Sequence, residues 1–327
     1  MADTRSERLK PLTADVTDES YPDVSPDGSK IVFTSGGADY DLVRVPLDGS
    51  PVQELLATSR SEHSAAWVPG TDQYVYVSDR NGQEELRLHQ QSDHQDRPLV
   101  SARDFPKEAT QFLRDPAVSP DGRKVAYDRK AVEGRRFIWI APLEGGAPVR
   151  LTRGAGGEAV PTWSPEGQWV AFLMTEGGVL QLAKAHAGGN QPAQMLVADA
   201  SLSSAPEWSP TGEWIACQNR EGILLVSPDG KRRRLLPRVR GTALLWSPDG
   251  STIYTIAPRG EGGSQLLSID IGAGVVKAVA FYGNELLFGS GMNPGLRFSL
   301  APDGRSFTAS VRRLRTDLWI LEGFAAP

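Results

Sequence analysis

The chain contains 327 residues, of which 39% are hydrophobic and 23% charged, and this composition is typical of a soluble globular protein with a large core. The net charge of −5 and the pI of about 5.5 argue against nonspecific binding to DNA or to anionic membranes. The single cysteine, Cys217, excludes an intramolecular disulfide and a cysteine metal cluster, and we expect a buried, unreactive thiol.

The N-terminal residues, MADTRSERLKPLT, lack the apolar core of a secretion signal. No apolar run approaches the roughly 20 residues that cross a bilayer, so we expect no membrane insertion. The compartment stays open. We expect an extracytoplasmic location if the chain is a piece of a membrane-anchored sensor, and a cytoplasmic location otherwise.

Seven copies of one short phrase follow each other along the chain, each built on a Ser-Pro-Asp-Gly-like turn between two apolar runs. The copies are VSPDGSKIVF (24–33), WVPGTDQYVYV (67–77), VSPDGRKVAY (118–127), WSPEGQWVAF (163–172), WSPTGEWIAC (208–217), WSPDGSTIYT (246–255) and LAPDGRSFTAS (300–310). The turn prolines are 38 to 54 residues apart. A repeat of this length is typical of the blade of a β-propeller.

A second phrase follows each copy: a strand of alternating apolar residues, a polar turn and another short strand. These hairpins occupy residues 41–56, 85–100, 137–152, 180–197, 222–236 and 265–280. The seventh, TDLWILEGF (316–324), has only its first strand, and the matching second strand is RLKPLT at 8–13. Each repeat therefore contains four strands, which we call A and B around the Ser-Pro turn, and C and D in the second hairpin.

This pattern predicts an all-β fold: one domain over 1–327, a β-propeller of seven four-stranded antiparallel blades, with six or eight blades as the alternatives. The blades are expected to begin near residues 21, 64, 115, 160, 205, 243 and 296. A blade cannot bury both of its faces alone, so neighbouring blades must cover them around a ring. We expect the N-terminal strand at 8–13 to complete the last blade and close the ring, because closure removes an exposed sheet edge.

Backbone geometry explains the repeated turn. Proline presets φ at the second position of a type I turn, aspartate suits the next position, and glycine accepts the left-handed conformation from which strand B starts. The phrase therefore specifies a shape. We expect function on the opposite face, where the B–C and D–A loops meet around the central channel.

The repeats resemble those of TolB-type, WD-repeat-like propellers, in which an acidic residue precedes a Pro-x-Trp-Ser-Pro-Asp-Gly phrase and an Ile-Ala-Phe-like strand. The resemblance runs from about Leu9 to Phe324, and the ending RTDLWILEGF is similar to the C-terminal propellers of bacterial kinase and winged-helix regulators. The resemblance implies the fold. It does not assign an activity, because propellers carry binding, enzymatic and purely structural functions.

Five of the seven repeats place an arginine directly after strand B, and these are Arg80, Arg129, Arg220, Arg259 and Arg312. An aspartate precedes two of them, at positions 79 and 128, and the TolB-type repeat often carries Asp-Arg at this point, which favours local ion pairs. The alternative is a basic ring that binds an acidic protein segment or ligand, since arginine forks favour carboxylates and phosphates.

The other candidate binding residues near the channel are His63, expected on a D–A loop, Asp115 and Tyr21. Carboxylates precede several A strands, namely Asp18, Glu19, Glu62, Asp115 and Glu158. They leave open a channel-bound cation, although solvated loop carboxylates explain them as well. One histidine is too few for a histidine-rich site, so we expect no catalytic residue, no metal site and no cofactor.

The sequence therefore favours a non-catalytic propeller that binds a protein or peptide, as the sensory or scaffolding module of a bacterial protein. If the arginine ring is the binding site, the partner is expected to be acidic. The alternative is an enzyme, either a lyase or a hydrolase, or a binder of a small ligand or metal at the channel mouth. We expect a monomer. No nucleic-acid partner is expected, because the basic run at 231–234 lies in a C–D turn of an acidic protein.

Overall fold

The computed structural model describes residues 2–3, 8–9, 18–154, 157–189, 191–199, 201–236, 239, 241, 243–260, 262–283, 287–288 and 297–322. Within these ranges the regular elements are strands, apart from one 3-10 turn at Ala102–Asp104, which confirms the predicted all-β fold. None of the helical structure in this part of the chain is long and apolar enough to cross a membrane.

The chain divides into two compact units. Unit 1 comprises Met1–Asp39 and Arg313–Pro327, and unit 2 comprises Tyr40–Arg312. The two are described separately, and the single domain predicted for 1–327 stays a prediction.

Unit 1 contains short antiparallel pairings near the N-terminus. Strand β1 (Ala2–Asp3) pairs with β2 (Arg8–Leu9), and β3 (Asp18–Val24) pairs with the first part of β4 (Lys30–Pro46). The predicted closure by a strand at 8–13 is not confirmed, because Arg8–Leu9 pair with β1 and residues 10–13 lie outside the described residues. The second part of β4 belongs to unit 2, where it pairs with β5 (Gln53–Leu56).

Unit 2 contains five four-stranded antiparallel sheets, which we name by their repeats, and in each of them the spatial order of the strands follows the chain. The repeat-2 sheet is β6 (Glu62–Trp67), β7 (Gln73–Ser78), β8 (Glu85–Gln90) and β9 (Asp96–Val100). The repeat-3 sheet is β10 (Thr110–Val118), β11 (Lys124–Ala131), β12 (Arg136–Pro142) and β13 (Val149–Arg150).

The other three sheets follow the same order. The repeat-4 sheet is β14 (Ala159–Trp163), β15 (Trp169–Glu176), β16 (Val179–His186) and β17 (Gln194–Ala198). The repeat-5 sheet is β18 (Glu207–Trp208), β19 (Ile215–Gln218), β20 (Ile223–Val226) and β21 (Arg233–Leu236). The repeat-6 sheet is β22 (Leu245–Trp246), β23 (Thr252–Pro258), β24 (Ser264–Asp270) and β25 (Val276–Tyr282).

The strands of repeats 1 and 7 share one further sheet. Its last strands are β26 (Leu287–Phe288), β27 (Ser299–Leu300) and β28 (Ser306–Glu322), and β28 lies beside β4. In unit 2 the A and B strands of repeat 7 therefore join the C and D strands of repeat 1, and we call this part the mixed sheet. Val43 and Val45 of β4 pack there with Phe307 of β28. The described residues of unit 2 thus form six sheets, and the predicted count of seven blades is not confirmed.

Alternating side chains in each strand bury both faces of the sheets in unit 2. In β7, Tyr74 and Tyr76 pack against the mixed sheet, whereas Val75 and Val77 pack with residues of the repeat-3 sheet. Indole hydrogen bonds also connect neighbouring sheets: Trp67 to the Thr308 hydroxyl (2.7 Å), Trp163 to the Ala117 carbonyl (2.9 Å) and Trp246 to the Glu207 carbonyl (3.0 Å). The mixed sheet contacts both the repeat-2 and the repeat-6 sheets.

The Ser-Pro turns have the chemistry that the sequence predicts. The Ser119 hydroxyl donates to Asp121 Oδ1 (2.6 Å) and accepts from the Lys124 N–H (2.9 Å). Gly122 has a φ of 68°, a left-handed conformation that glycine adopts without a steric penalty. The same letters at 227–230 form the C–D turn of repeat 5, with the Ser227 hydroxyl 2.6 Å from Asp229 Oδ1.

Cys217 lies fully buried in β19. Burial raises the pKa of its thiol to about 12, so the group stays un-ionised near neutral pH. This environment agrees with the inert thiol that the sequence predicts.

Candidate binding faces

Unit 2 presents two kinds of connection at opposite ends of its sheets. Because consecutive strands are antiparallel, the A–B and C–D turns lie at one end, and the B–C and D–A loops lie at the other. We call these ends the turn face and the loop face. The sequence predicts the binding residues on the loop face.

Arg129 does not reach the surface of the loop face. It lies in β11 with 1% of its area exposed, and its guanidinium donates to Glu108 Oε2 (2.9 Å), the Glu108 carbonyl (2.6 Å) and Thr110 Oγ1 (2.9 Å). The same group stacks on Phe105, 4.1 Å from the ring centre. Arg129 therefore holds the D–A loop at 101–109 against its own sheet.

Arg80 is partly exposed and is engaged within the repeat-2 sheet. Its guanidinium donates to Asp96 Oδ2 (2.7 Å) and to the Tyr76 hydroxyl (2.6 Å). The sequence predicts ion pairs between each arginine and the aspartate directly before it, and these pairs do not form. Asp79 instead accepts from the Ser61 N–H (3.0 Å), and the carboxylate before Arg129 pairs with a different arginine, described below.

The other three predicted arginines are exposed. Arg220 and Arg259 lie in B–C loops, and the guanidinium of Arg259 stacks 4.9 Å from the ring centre of Phe281, which is itself exposed. The sequence predicts Arg312 in a loop, but the residue lies within β28, because the B and C strands of repeat 7 form one continuous strand. The structure therefore does not bring the five arginines together in one ring.

His63 and Asp115 are buried within strands β6 and β10, and the prediction of His63 on a D–A loop is wrong. They belong to a cluster that we call the loop-face ion network: His63, Glu84, Arg114, Asp115, Asp128 and Arg136. Glu84 accepts two bonds from Arg114, at 2.7 and 3.0 Å, and lies 3.7 Å from His63 Nε2. Burial raises the pKa of Glu84, but the neighbouring His63 and Arg114 lower it by more, so the pKa lies below its ordinary value.

Arg136 forms the second half of the network. Its guanidinium donates to Asp128 Oδ2 (2.7 Å) and to Asp115 Oδ2 (3.2 Å), and it lies 5.2 Å from the ring centre of Phe112. Asp115 Oδ1 is buried without a hydrogen-bond partner in the described part of the chain. Sequence reasoning missed Glu84, Arg114 and Arg136, because their partners come from other strands and nothing in the repeat marks them.

A strained backbone position recurs beside this network. Ser64, Asp115 and Val160 all have φ between 52° and 54°, and each stands five residues before its turn proline. The N–H of Ser64 donates to Ser310 Oγ (3.0 Å) and that of Val160 to Asp128 Oδ1 (3.2 Å), both on the preceding sheet. These bonds hold the residues in a conformation that costs energy for side chains other than glycine.

The remaining predicted residues lie in unit 1 or bond within their own loops. Tyr21 occupies the same repeat position in unit 1, with φ 53° and its side chain exposed. Glu62 and Glu158 are buried, and they accept from Thr58 Oγ1 (2.7 Å) and the Gly157 N–H (3.0 Å), so they cap their own loops. The side chains of Asp18 and Glu19 lie outside the described residues.

Within the described ranges, no three or more His, Cys, Asp or Glu side chains are grouped so that they could hold a metal ion. The expected absence of a metal site and of a cofactor stays a prediction.

The exposed charges of the loop face are mostly basic. In the described B–C and D–A loops of unit 2, the exposed basic side chains are Arg60, Arg103, Lys107, Arg135, Arg153, Arg220 and Arg259. The exposed acidic ones in the same loops are Asp104, Glu133 and Glu221. This excess contrasts with the net charge of −5 of the whole chain. The loop face therefore complements an acidic partner better than a basic one.

Asp115 gives this network a testable pH dependence. Burial and the neighbouring Asp128 carboxylate raise the pKa of Asp115 well above its ordinary value of about 3.9. Above that ordinary value the unfolded chain loses this proton while the folded chain keeps it, so Asp115 lowers stability as the pH rises. We expect Asp115→Asn to raise the free energy of unfolding at pH 7 by on the order of 1 kcal/mol, and to change it little below pH 4, in urea titrations at both pH values.

Asp121→Asn is the matched control, because the shift at that turn carboxylate has the opposite sign. The Ser119 hydroxyl and the Arg123 N–H lower the pKa of Asp121, so its ionised form stabilises the fold above its unfolded value, and this stability is lost as the pH falls through the folded pKa. Asp121→Asn should therefore lower stability at pH 7. An Asp115→Asn protein that is less stable than the parent at pH 7 would refute the prediction.

Comparison with known proteins agrees with this architecture. Residues 40–237, more than half of the chain, match the family model described as the TolB beta propeller domain. The Tol-Pal system protein TolB of Anaeromyxobacter dehalogenans (strain 2CP-C) is 29% identical over 129 residues, which cover 39% of this chain and 27% of that protein. An uncharacterized peptidase, YuxL of Bacillus subtilis (strain 168), is 31% identical over 173 residues, which cover 51% of this chain and 20% of that protein.

These matches span about a quarter or less of the length of the curated relatives. Among solved structures, the putative TolB from Agrobacterium tumefaciens has a TM-score of 0.68 at 17% identity, and covers 85% of this chain and 99% of its own. A likeness at that identity shows the fold alone, so the activity of the chain has to be argued from its faces.

Proposed function

Because this chain belongs to the family of TolB β-propeller domains, we propose that it is a non-catalytic module that binds an acidic protein or peptide through its loop face. The observation that carries the proposal is the excess of exposed basic side chains in the B–C and D–A loops of unit 2. The matched relative from Anaeromyxobacter is named as a protein of the Tol-Pal system, which supports a protein partner. A sensory or scaffolding role in a bacterial protein fits such a module.

The chemistry of the exposed groups explains why the partner is acidic. Arginine presents a planar fork of donors that matches a carboxylate, and it keeps its charge at all physiological pH values. Arg259, stacked on the exposed ring of Phe281, presents both a guanidinium and apolar area, the combination that is enriched at binding hot spots. The buried Arg129 is excluded from this role, and Arg220 and Arg259 are retained from the predicted set.

The alternative, an enzyme or a small-ligand binder at the channel mouth, requires reactive groups with access to a substrate. His63 and Asp115 are buried and engaged within the loop-face ion network, so the described residues offer no observation that favours this alternative. It stays a prediction.

The test is the binding of a fluorescein-labelled deca-glutamate peptide, followed by fluorescence anisotropy at low ionic strength. The triple variant R60Q/R220Q/R259Q should bind about tenfold more weakly than the parent, and the affinity of the parent should fall steeply as salt is added. The control R123Q/K231Q/R305Q removes the same charge from exposed positions on the turn face, and should bind like the parent.

Two results would contradict the proposal. One is the absence of peptide binding by the parent at low salt. The other is an equal loss of affinity in both triple variants, because binding would then follow net charge and not the loop face.

A further inference from the structure

The turn face of unit 2 has an open cavity of about 370 Å³ that is lined by residues of all six of its sheets. Its apolar wall consists of the residues that precede the A–B turns and of the turn prolines. The tryptophans among them are Trp67, Trp163, Trp208 and Trp246, and the prolines are Pro69, Pro120, Pro165, Pro210 and Pro248. We call this the turn-face cavity. Its volume lies within the range of roughly 300–1,000 Å³ that is usual for binding pockets.

The polar part of the wall is an ion pair that crosses between sheets. Arg297, which leads into β27 of the mixed sheet, donates through Nε to Glu207 Oε1 of the repeat-5 sheet (2.9 Å) and through Nη1 to the Pro161 carbonyl of the repeat-4 sheet. Arg297 and Glu207 thus compensate each other's charge. A second carboxylate placed beside them would meet repulsion from Glu207, so the cavity disfavours an acidic ligand.

Two residues of the wall have buried donors that the described residues leave unsatisfied. These donors are Arg297 Nη2 and Trp208 Nε1. The indoles of the other three wall tryptophans each donate to a neighbouring sheet, so Trp208 departs from a bond that the repeat otherwise makes. Both atoms have almost no accessible area, so they lie behind the surface of the cavity and do not contribute donors to it.

The rim of the turn-face cavity is acidic. Each of the six A–B turns of unit 2 carries one carboxylate, namely Asp72, Asp121, Glu166, Glu213, Asp249 and Asp303. Two arginines stand in the same turns, Arg123 and Arg305. Hydrogen bonds from the turn hydroxyl and N–H groups lower the pKa of Asp121 and of Asp249, so both are ionised at neutral pH. The charge of this rim is opposite to that of the loop face.

From this combination we propose that the turn-face cavity binds a basic, proline-rich peptide segment of another protein. Proline-rich segments adopt an extended helix before binding, and they dock between aromatic rings with their carbonyls free to accept hydrogen bonds. Tryptophans and prolines in the wall supply the ring surfaces, and the rim carboxylates attract lysine or arginine side chains. This site is distinct from the loop face and does not depend on the function proposed for it.

The experiment uses a capped synthetic peptide of three Pro-Pro-Arg repeats, titrated into the full chain and followed by calorimetry and by ¹⁵N indole resonances. Saturable binding is expected, with shifts of the indole signals of Trp67, Trp163, Trp208 and Trp246, and no shift for Trp139 in β12. The variant E166Q/E213Q should bind roughly fivefold more weakly because two rim charges are removed. The control E133Q/E221Q removes two exposed loop-face carboxylates and should bind like the parent.

Peptide controls separate charge from shape. A peptide with glycine in place of every proline should bind at least about tenfold more weakly, because it loses the preformed extended conformation and the ring contacts. Equal binding of the glycine peptide, tighter binding of a Pro-Pro-Glu peptide, or no shift of any wall indole with any peptide would each overturn the proposal.

Discussion

Replacing Arg297 by alanine is expected to lower the free energy of unfolding by about 4 kcal/mol, because the substitution leaves the largely buried carboxylate of Glu207 without its cation. Arg297 is 6% exposed and bonds the repeat-4 and repeat-5 sheets from a segment of the mixed sheet. Burial alone raises the pKa of Glu207, and Arg297 opposes that shift. Without Arg297, Glu207 has to take up a proton or ionise in an apolar surrounding. Urea unfolding followed by tryptophan fluorescence measures the loss.

The double variant R297M/E207L separates the loss of the pair from a general intolerance of the site. Apolar side chains of similar volume replace both charges, and such exchanges are often neutral or stabilising. We expect the double variant to recover most of the stability that Arg297→Ala loses. If Arg297→Ala unfolds at the same urea concentration as the parent, the ion pair does not join the sheets in solution.

Replacing Arg129 by alanine is expected to cost about 3 kcal/mol of unfolding free energy, since large buried side chains leave a cavity when truncated. Arg129 fills space beneath the D–A loop at 101–109, stacks on Phe105, and satisfies both the carboxylate and the carbonyl of Glu108. Loss of these contacts should also release the loop. Urea unfolding gives the free energy, and limited proteolysis reports whether residues 101–109 become the first site of cleavage.

Arg220→Ala is the matched control for Arg129→Ala. Arg129 lies near the end of β11, whereas Arg220 follows β19 and is exposed. Only the backbone N–H of Arg220 makes a hydrogen bond in the described structure, to Ser201 Oγ at 3.5 Å. A change within about 0.5 kcal/mol is therefore expected for Arg220→Ala. An equal loss of unfolding free energy in the two variants would show that the burial of Arg129 does not determine its contribution to stability.

These two arginines illustrate how far the sequence predicts the candidate sites. The position after strand B follows from the repeat, and so does its location near the loop face. Burial does not, because it depends on whether the D–A loop that leads into strand A of the same repeat folds over the side chain. In repeat 3 that loop brings Phe105 and Glu108 onto Arg129, whereas the corresponding loop of repeat 5 leaves Arg220 in solvent. Loop packing of this kind involves contacts that no local pattern encodes.

The turn-face cavity shows that a motif can be predicted correctly in its local structure while its role in a larger site stays hidden. Each Ser-Pro turn has the shape that its letters predict, and each was expected to serve structure alone. Only in three dimensions do the six turns place their tryptophans, prolines and carboxylates around one cavity with Arg297 in its wall. A residue repeated for packing in every sheet can therefore also form a shared surface where the sheets meet.

The sequence by itself determined the strands, the turns and the four-strand repeat, because hydrophobic alternation and turn chemistry act over a few residues. Tertiary structure alone decided which hairpins share a sheet. The strands at 41–56 share a sheet with the A and B strands of repeat 7, which come much later in the chain. Repeats that are nearly copies offer almost equal local pairings. Long-range packing, such as that of Val43 and Val45 with Phe307, therefore selects among them.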